Sequence, residues 1–284
     1  MDLDCQSPLE VRHIDASDGH RVPYRRWGPA GASKGTIVLL NGIMSHSGWF
    51  FPLVDPLTAA GLVVVGADRR GSGLDDVARG DAPSAKSIVD DALAVIDAEH
   101  VTDGPLIVVG WCWGSVLALN LLRPLGDRLA GLVMVAPGLF PSAAVSEAAA
   151  KDEAAVRDAA PDDPAILTPI ADTMFTSGPY LEGFIRRDPR RLLRITPRFR
   201  GLMSNLSLTA LARLRRLEVP LLVLLADGDQ ATDNDAVRAA LATIDPARIE
   251  MRAIASGHAM QFDVPSFVTG AITDFARRLS PASP

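Results

Sequence analysis

The sequence predicts an α/β fold built on a mostly parallel, doubly wound sheet. Short apolar runs bounded by turn residues alternate with longer stretches that have helical spacing, such as residues 84–100. Runs that are apolar at every position and rich in Val, Ile and Leu are typical of parallel strands buried on both faces. Alternation of such strands with helices predicts a doubly wound sheet. The runs lie at residues 37–40, 62–65, 106–109, 132–135 and 221–225.

The two ends of the chain depart from this alternation. Residues 11–14 and 21–27 flank the turn-prone Ser17-Asp18-Gly19, which predicts an antiparallel hairpin. Residues 249–254 predict a last strand, and residues 265–279 an amphipathic helix that closes the chain. We therefore expect eight strands flanked by helices.

A long insertion separates the sixth predicted strand from the seventh. More than eighty residues between Ala136 and Pro220 carry no strong strand signal, which is too long for a loop in a compact domain. The Ala-rich stretch 142–160 begins this segment, and apolar, helix-compatible pieces follow it. We expect a helical cap at 139–216, inserted between core segments 1–138 and 217–284.

Composition favours an acidic, globular, cytoplasmic protein. The 284 residues are 48% hydrophobic and carry a net charge of -6, which argues against a nucleic-acid partner because phosphate binding needs a basic face. Only Cys5 and Cys112 are present, so a disulfide framework is not expected. The start of the chain lacks a signal-peptide pattern, and no apolar run is long enough to span a bilayer, so we expect no stable membrane insertion.

Residues 110–114, Gly-Trp-Cys-Trp-Gly, join a predicted strand to a predicted helix. Glycines on both sides allow a tight, strained turn that exposes one side chain, the pattern of a nucleophile elbow. An isolated cysteine in an apolar run is more often a small core residue. The elbow context favours the other interpretation, in which Cys112 is the nucleophile.

Two later features supply partners for Cys112 in the chain order used by such triads, nucleophile, acid and histidine. Asp227 and Asp229 follow the predicted strand at 221–225, and we choose Asp229 because it lies past the turn glycine. Both could instead be ordinary turn aspartates. His258 follows the last predicted strand, unlike the other four histidines of the chain.

Acyl transfer also needs two backbone N–H groups aimed at the developing oxyanion. The residue after the nucleophile, Trp113, is expected to supply one. The loop 41–47, which follows the strand at 37–40, is expected to supply the other from the amide of Ile43.

These motifs together resemble the monoacylglycerol-lipase-like branch of the α/β hydrolases, also described as serine-aminopeptidase-like lysophospholipases. The matching segments are 41–47, 68–73, 110–114, Asp229, 256–258, and the insertion pieces 174–176, 188–189 and 195–199. The resemblance implies an α/β-hydrolase fold and the triad Cys112, Asp229 and His258. The family carries serine where this chain has Cys112, and histidine where it has Asn41.

Cysteine in this position implies acyl-thioester chemistry, as in cysteine-bearing relatives of the fold. An acyl-cysteine is itself a thioester, so exchange with another thiol is nearly isoenergetic. We expect a thioesterase or acyltransferase that acts through acyl-Cys112 on small acyl esters or thioesters. The alternative is a carboxylic-ester hydrolase of the monoacylglycerol lipase or lysophospholipase type, and a third interpretation is a noncatalytic ligand-binding protein.

Further side chains are candidates for binding. An apolar acyl pocket is one interpretation of the aromatic residues near the elbow and the 41–47 loop, and core packing is the other. Arginines are frequent in the insertion and are candidates for docking an acidic acyl or peptidyl carrier protein. The alternative interpretation is a solvated helical face with intramolecular pairs. No cofactor and no metal are expected, since Cys112 has no neighbouring ligand at metal spacing. The substrate candidates are Met44, Trp49, Trp111, Phe175 and Met260; the docking candidates are Arg186, Arg187, Arg190 and Arg191.

Overall fold

The computed structural model describes residues 6–29, 33–100, 104–151, 157–176 and 178–280, so Cys5 lies outside the described residues. It contains the predicted eight-stranded sheet, in the order β1-β2-β4-β3-β5-β6-β9-β10. The first three strands in this order pair antiparallel and all the others parallel, which confirms the mostly parallel sheet. Its strands are β1 (Leu9–Asp15), β2 (Arg21–Trp27), β3 (Thr36–Leu40), β4 (Val63–Ala67), β5 (Leu106–Trp111), β6 (Leu129–Val135), β9 (Leu221–Ala226) and β10 (Ile249–Ile254).

Helices cover the sheet and fill the insertion. Amphipathic spacing, with Ile88, Ala92 and Val95 on one face of α2, explains why this helix buries one side against the sheet. No helix in the described ranges is both long enough and apolar enough to cross a bilayer. The helices are α1 (Phe51–Ala59), α2 (Ala85–Glu99), α3 (Gly114–Leu125), α4 (Ala143–Lys151), α5 (Pro179–Arg187), α6 (Pro197–Leu214), α7 (Asn234–Leu241), α8 (Met260–Asp263) and α9 (Pro265–Leu279).

The insertion between β6 and β9 is not wholly helical. It carries α4, α5 and α6, and also a two-stranded antiparallel sheet of β7 (Ile166–Leu167) and β8 (Arg194–Ile195). The sequence analysis found no strand here. A strand of two residues cannot display the alternation by which strands are recognised, so the pairing depends on tertiary contacts.

Strand register places the carboxyl ends of the central strands at one edge of the sheet. Leu40 of β3 pairs with Gly110 of β5, and Trp111 pairs with Val135 of β6. Ala226 of β9 pairs with Ile254 of β10. Loops after these strands therefore emerge side by side, at the edge where open α/β sheets bind ligands.

Candidate functional site

Cys112 lies between the end of β5 and the start of α3 with a φ of +54°. This left-handed conformation is strained for any residue except glycine. Three backbone hydrogen bonds maintain it: the Cys112 N–H donates to the Val135 carbonyl (3.1 Å), and the Cys112 carbonyl accepts from the N–H groups of Ser115 and Gly138 (3.0 Å each). The turn has the strand-to-helix geometry of a nucleophile elbow.

Glycines allow the backbone around this turn to pack without side chains. A Cβ on Gly114 would lie 2.0 Å from the Leu40 carbonyl oxygen, and one on Gly110 would lie 2.5 Å from the Gly114 carbonyl oxygen. A Cβ on Gly42 would lie 3.0 Å from the Cys112 Cβ. The glycines therefore bring β3, its following loop and the elbow into direct contact.

His258 and Asp229 form a hydrogen-bonded pair that is closed to solvent. The His258 Nδ1 lies 2.8 Å from the Asp229 Oδ2, and both side chains are 0% exposed. The other oxygen of Asp229 accepts the backbone N–H groups of Ala231 (2.8 Å) and Thr232 (3.0 Å). These bonds fix the carboxylate so that it orients the imidazole. Asp227, the alternative acid, is exposed and faces Arg238 at 3.8 Å.

The second ring nitrogen of His258 is available for chemistry. Its Nε2 is buried and makes no hydrogen bond of ordinary distance and angle in the described part of the chain. Burial lowers the pKa of His258, but the nearby charges of Cys112 and Asp229 outweigh burial and raise this pKa to about 10. The structure thus places all three predicted triad residues at one site.

The amides of Ile43 and Trp113 belong to the two segments that meet at Cys112, the 41–47 loop and the elbow. No described residue accepts a hydrogen bond from either N–H, and both residues line the cavity that contains Cys112. The Asn41 side chain donates to the carbonyls of Gly42 (3.0 Å) and Ser45 (2.6 Å), which fixes the turn that carries Ile43. Asparagine at this position therefore supports the loop through its amide group.

Arg69, which the sequence analysis did not single out, also stabilises this loop. Its guanidinium donates to the carbonyls of Gly42 (3.2 Å) and Ile43 (2.9 Å) and lies 5.4 Å from the centre of the Trp113 ring. Burial lowers the pKa of Arg69 to about 10, while the charges of Asp68 and Cys112 act in the opposite direction. One buried cation therefore contacts both segments that carry the two amides, the 41–47 loop and the elbow.

Replacing Arg69 with methionine is expected to lower kcat about 10- to 100-fold, with a smaller change in KM. Methionine fills similar space but leaves the two loop carbonyls without their donor, so the Ile43 amide loses its fixed direction. Steady-state kinetics on 4-nitrophenyl butyrate measures the split between kcat and KM. Arg69→Lys keeps the charge and should recover part of kcat. Equal losses in both variants, matched by equal loss of folded protein, would show that Arg69 has a structural role only.

A cavity of about 340 Å³ opens onto Cys112. The elbow and the two loops beside it form one wall, and the insertion forms the other. Apolar side chains dominate, which is typical of small-molecule sites. Its lining includes Ile43, Cys112, Trp113, Gly138, Leu139, Val145, Ile166, Ile170, Ile195, Arg200, Met203, Ser204, Ser207 and Thr232.

The residues predicted to bind substrate do not line this cavity. None of the five candidates, Met44, Trp49, Trp111, Phe175 and Met260, lines this cavity, and each is at most 2% exposed. Trp111 packs against Trp49 (ring centres 5.9 Å apart) and against His258 (5.6 Å). They are packed as a core that supports His258, in line with the core-packing interpretation and not with an acyl pocket.

A buried, hydrogen-bonded carboxylate joins this aromatic core to the insertion. Asp188 accepts hydrogen bonds from His46 Nε2 (2.8 Å) and Trp49 Nε1 (2.5 Å). Burial raises the pKa of Asp188, but the bonds from His46 and Trp49 prevail and lower it to about 2. The insertion is thus fastened to the 41–47 loop by a charged group that stays ionised at neutral pH.

The four predicted docking arginines do not form one free basic face. Arg191 is largely buried and pairs with Asp172 at 2.5 Å, and Arg186 also faces Asp172, at 3.8 Å. Arg190 reaches toward the Gly73 carbonyl (3.4 Å), while Arg187 is exposed. Intramolecular pairing therefore accounts for much of this charge.

Comparison with known proteins adds the family. The model of the family described as serine aminopeptidase, S33 matches residues 31–263. The chain is 28% identical over 137 residues to an uncharacterized abhydrolase domain-containing protein of Dictyostelium discoideum, covering 48% of this chain and 14% of that protein. It is 25% identical over 130 residues to human monoglyceride lipase, covering 45% of this chain and 43% of the lipase. Each match spans less than half the length of the curated relative.

The fold is shared with a solved enzyme over its whole length. A soluble variant of monoglyceride lipase from Saccharomyces cerevisiae, in complex with a substrate analog, superposes with a TM-score of 0.82, covering 99% of both chains at 17% identity. This likeness confirms the α/β-hydrolase fold, and the family match confirms the resemblance at the level of the family. The match to residues 31–263 covers more than half of the sequence, and the chain therefore belongs to the serine aminopeptidase S33 family of α/β hydrolases.

Proposed function

We propose that this protein is a carboxylic-ester hydrolase that works through an acyl-Cys112 intermediate. The observation that carries the proposal is the arrangement around Cys112: a strained elbow, the His258–Asp229 pair at 2.8 Å, and a cavity that opens onto the sulfur. Family membership and the fold shared with a monoglyceride lipase support ester hydrolysis as the reaction. The thioester interpretation given first by the sequence has weaker support.

The proposed reaction has two halves. Asp229 orients His258, whose Nε2 carries the proton given up by the Cys112 thiol, and the sulfur attacks the ester carbonyl carbon. The resulting oxyanion is held by the N–H groups of Ile43 and Trp113. His258 then returns the proton to the leaving alcohol, and the carbon–oxygen bond to that alcohol breaks. In the second half His258 removes a proton from water and the hydroxide attacks the acyl-cysteine. The carbon–sulfur bond then breaks, the acid forms, and the Cys112 sulfur and His258 share the remaining proton as at the start.

The insertion serves in this proposal as a cap, with bounds at 139–216. It supplies most of the apolar cavity wall and excludes water from the reacting carbonyl. The cavity volume of about 340 Å³ is near the lower end of the range of roughly 300–1,000 Å³ for small-molecule sites. Short or medium acyl groups therefore suit it better than long lipid chains.

Acyl thioesters are a second candidate class, favoured by one observation, the sulfur of Cys112 itself. Transfer of an acyl group between two thiols changes the free energy little, whereas attack of a thiol on an oxygen ester must form a more reactive acyl derivative. Small acyl thioesters, such as those of N-acetylcysteamine, represent this class without a carrier protein.

Intact-mass spectrometry tests the proposal. Incubation with 4-nitrophenyl butyrate and rapid quenching in acid should add one butyryl group, and peptide mapping should place it on Cys112. His258→Ala is the matched control, since it keeps the sulfur but removes its base and should suppress the adduct. Turnover without any adduct on Cys112, or an adduct equally abundant in the control, would contradict the proposed intermediate.

A further inference from the structure

The wall of the Cys112 cavity contains a charged group that the reaction does not use. Arg200, on α6, is the only charged side chain among the described residues that line this cavity. The other lining side chains are apolar, apart from a few hydroxyl groups, the Cys112 sulfur and the Trp113 indole. Arg200 is half-buried. A guanidinium nitrogen that is buried in such a setting ordinarily has a hydrogen-bond partner, because apolar neighbours cannot replace the water that it loses.

Arg200 has no such partner within the part of the chain that the structure describes. Its Nη1 is buried and makes no hydrogen bond, and none of the ion pairs of the described residues includes it. Its neighbours differ: Arg198 pairs with Asp81, and Arg213 donates to the Asn120 carbonyl. These contacts fix α6 on both sides of Arg200. The Arg200 guanidinium makes no such contact with the described residues.

One methionine and two serines that follow Arg200 share its face of the helix. Met203, Ser204 and Ser207 follow Arg200 at spacings of three, four and seven residues and line the same cavity. Across the cavity, the Thr232 hydroxyl is also buried without a hydrogen bond. Thr232 is one of the two residues whose backbone N–H groups orient Asp229, so this unpaired hydroxyl belongs to the loop that carries the proposed acid.

We infer that Arg200 binds a carboxylate carried by the substrate, at the far end of an apolar segment from the ester carbonyl. A guanidinium recognises a planar carboxylate through two parallel hydrogen bonds, which a neutral chain end cannot accept. The substrate class is therefore an ester with a free acid group, such as the half-ester of a medium-length dicarboxylic acid. This inference rests on the proposed function for the ester group, and on Arg200 alone for the acid group.

The carboxylate belongs to either the acyl part or the alcohol part of the ester, and matched substrates separate the two sources. On the acyl side, mono-4-nitrophenyl adipate is compared with 4-nitrophenyl hexanoate. On the alcohol side, 4-hexanoyloxybenzoate is compared with phenyl hexanoate. Arg200→Gln should lower kcat/KM for one of the two acids about 10- to 100-fold, because a charge-assisted pair is lost. The ratio of kcat/KM for that acid to kcat/KM for its matched neutral ester should fall by a similar factor.

Arg216→Gln removes an exposed arginine just beyond α6 and is the matched control. It lowers the net charge equally, so it should leave the ratio of acid to neutral substrate unchanged. An equal change of this ratio in both variants, or no change in Arg200→Gln, would overturn the inference.

Binding provides a readout that does not depend on turnover. Calorimetric titration of the wild-type protein with 6-oxoheptanoate and with 2-heptanone compares an acid and a neutral ketone of the same chain length. Tighter binding of the acid that disappears in Arg200→Gln supports the carboxylate site even if neither ester is hydrolysed, an outcome that would refute the hydrolase proposal alone. Equal binding of the two ketones, unchanged by Arg200→Gln, would refute the carboxylate site even in an active esterase.

Discussion

Replacing Cys112 with alanine is expected to lower kcat for ester hydrolysis by about 10⁴-fold or more. Without the sulfur no acyl-enzyme forms, and only the backbone amides and substrate binding remain to assist attack by water. Cys112 is 5% exposed, and its conformation is held by backbone hydrogen bonds that alanine can keep. Release of 4-nitrophenol from 4-nitrophenyl butyrate measures the loss, and circular dichroism checks the fold.

Cys112→Ser is the informative companion of this change. Serine restores the nucleophile of the family, so activity on oxygen esters should recover above the alanine level. Activity on the N-acetylcysteamine thioester of butyric acid should recover less, if thioesters are the better substrates of the sulfur. An alanine variant that keeps a tenth of the wild-type kcat would show that Cys112 is not the nucleophile.

Replacing Asp229 with asparagine is expected to lower kcat by about 10³- to 10⁴-fold, the scale on which loss of a histidine-orienting carboxylate acts. Two backbone N–H groups fix one oxygen of Asp229, and the other oxygen meets the His258 Nδ1 at 2.8 Å. Asparagine keeps the shape but removes the charge and favours the wrong tautomer of the imidazole. Asp227→Asn, at an exposed position in the same loop, is the control and should keep nearly full activity.

The interactions of His258 with Cys112 and Asp229 make the free energy of unfolding depend on pH. The pKa of His258 is raised to about 10 in the folded protein, above the ordinary value of 6.5. Its contribution to stability is therefore complete below pH 6.5 and is lost as pH rises through about 10. The wild-type advantage over Asp229→Asn in urea unfolding should decline across this range. An advantage that grows toward pH 10 would contradict the raised pKa.

Sequence patterns identified the sheet because its central strands are buried on both faces. A strand such as 106–109 has no polar position, and its end is followed at once by the glycines of the elbow. Backbone atoms come so close at Gly110 and Gly114 that no larger residue fits. Glycines at these two positions therefore indicate the tight turn from the sequence alone. Features that depend on residues adjacent in the chain can be recognised from the sequence.

Packing between distant segments had no such signal. Trp49 and Trp111 are aromatic residues near a nucleophile, and composition alone cannot tell whether they face a ligand or each other. The structure places them in the core beside His258, while the cavity is lined by the insertion instead. The two-residue strands of the insertion were invisible for the related reason that their pairing is nonlocal.

By itself, the sequence determined the α/β class, the eight strands and the elbow that carries Cys112, because each depends on neighbouring residues. Only the tertiary structure decided that Arg69 supports the loop of Ile43 and that Arg200 faces the cavity. Both are arginines among many in this chain, and a charge acquires a role only when burial removes its water and selects its partners. That selection takes place between segments far apart in sequence, when the chain folds.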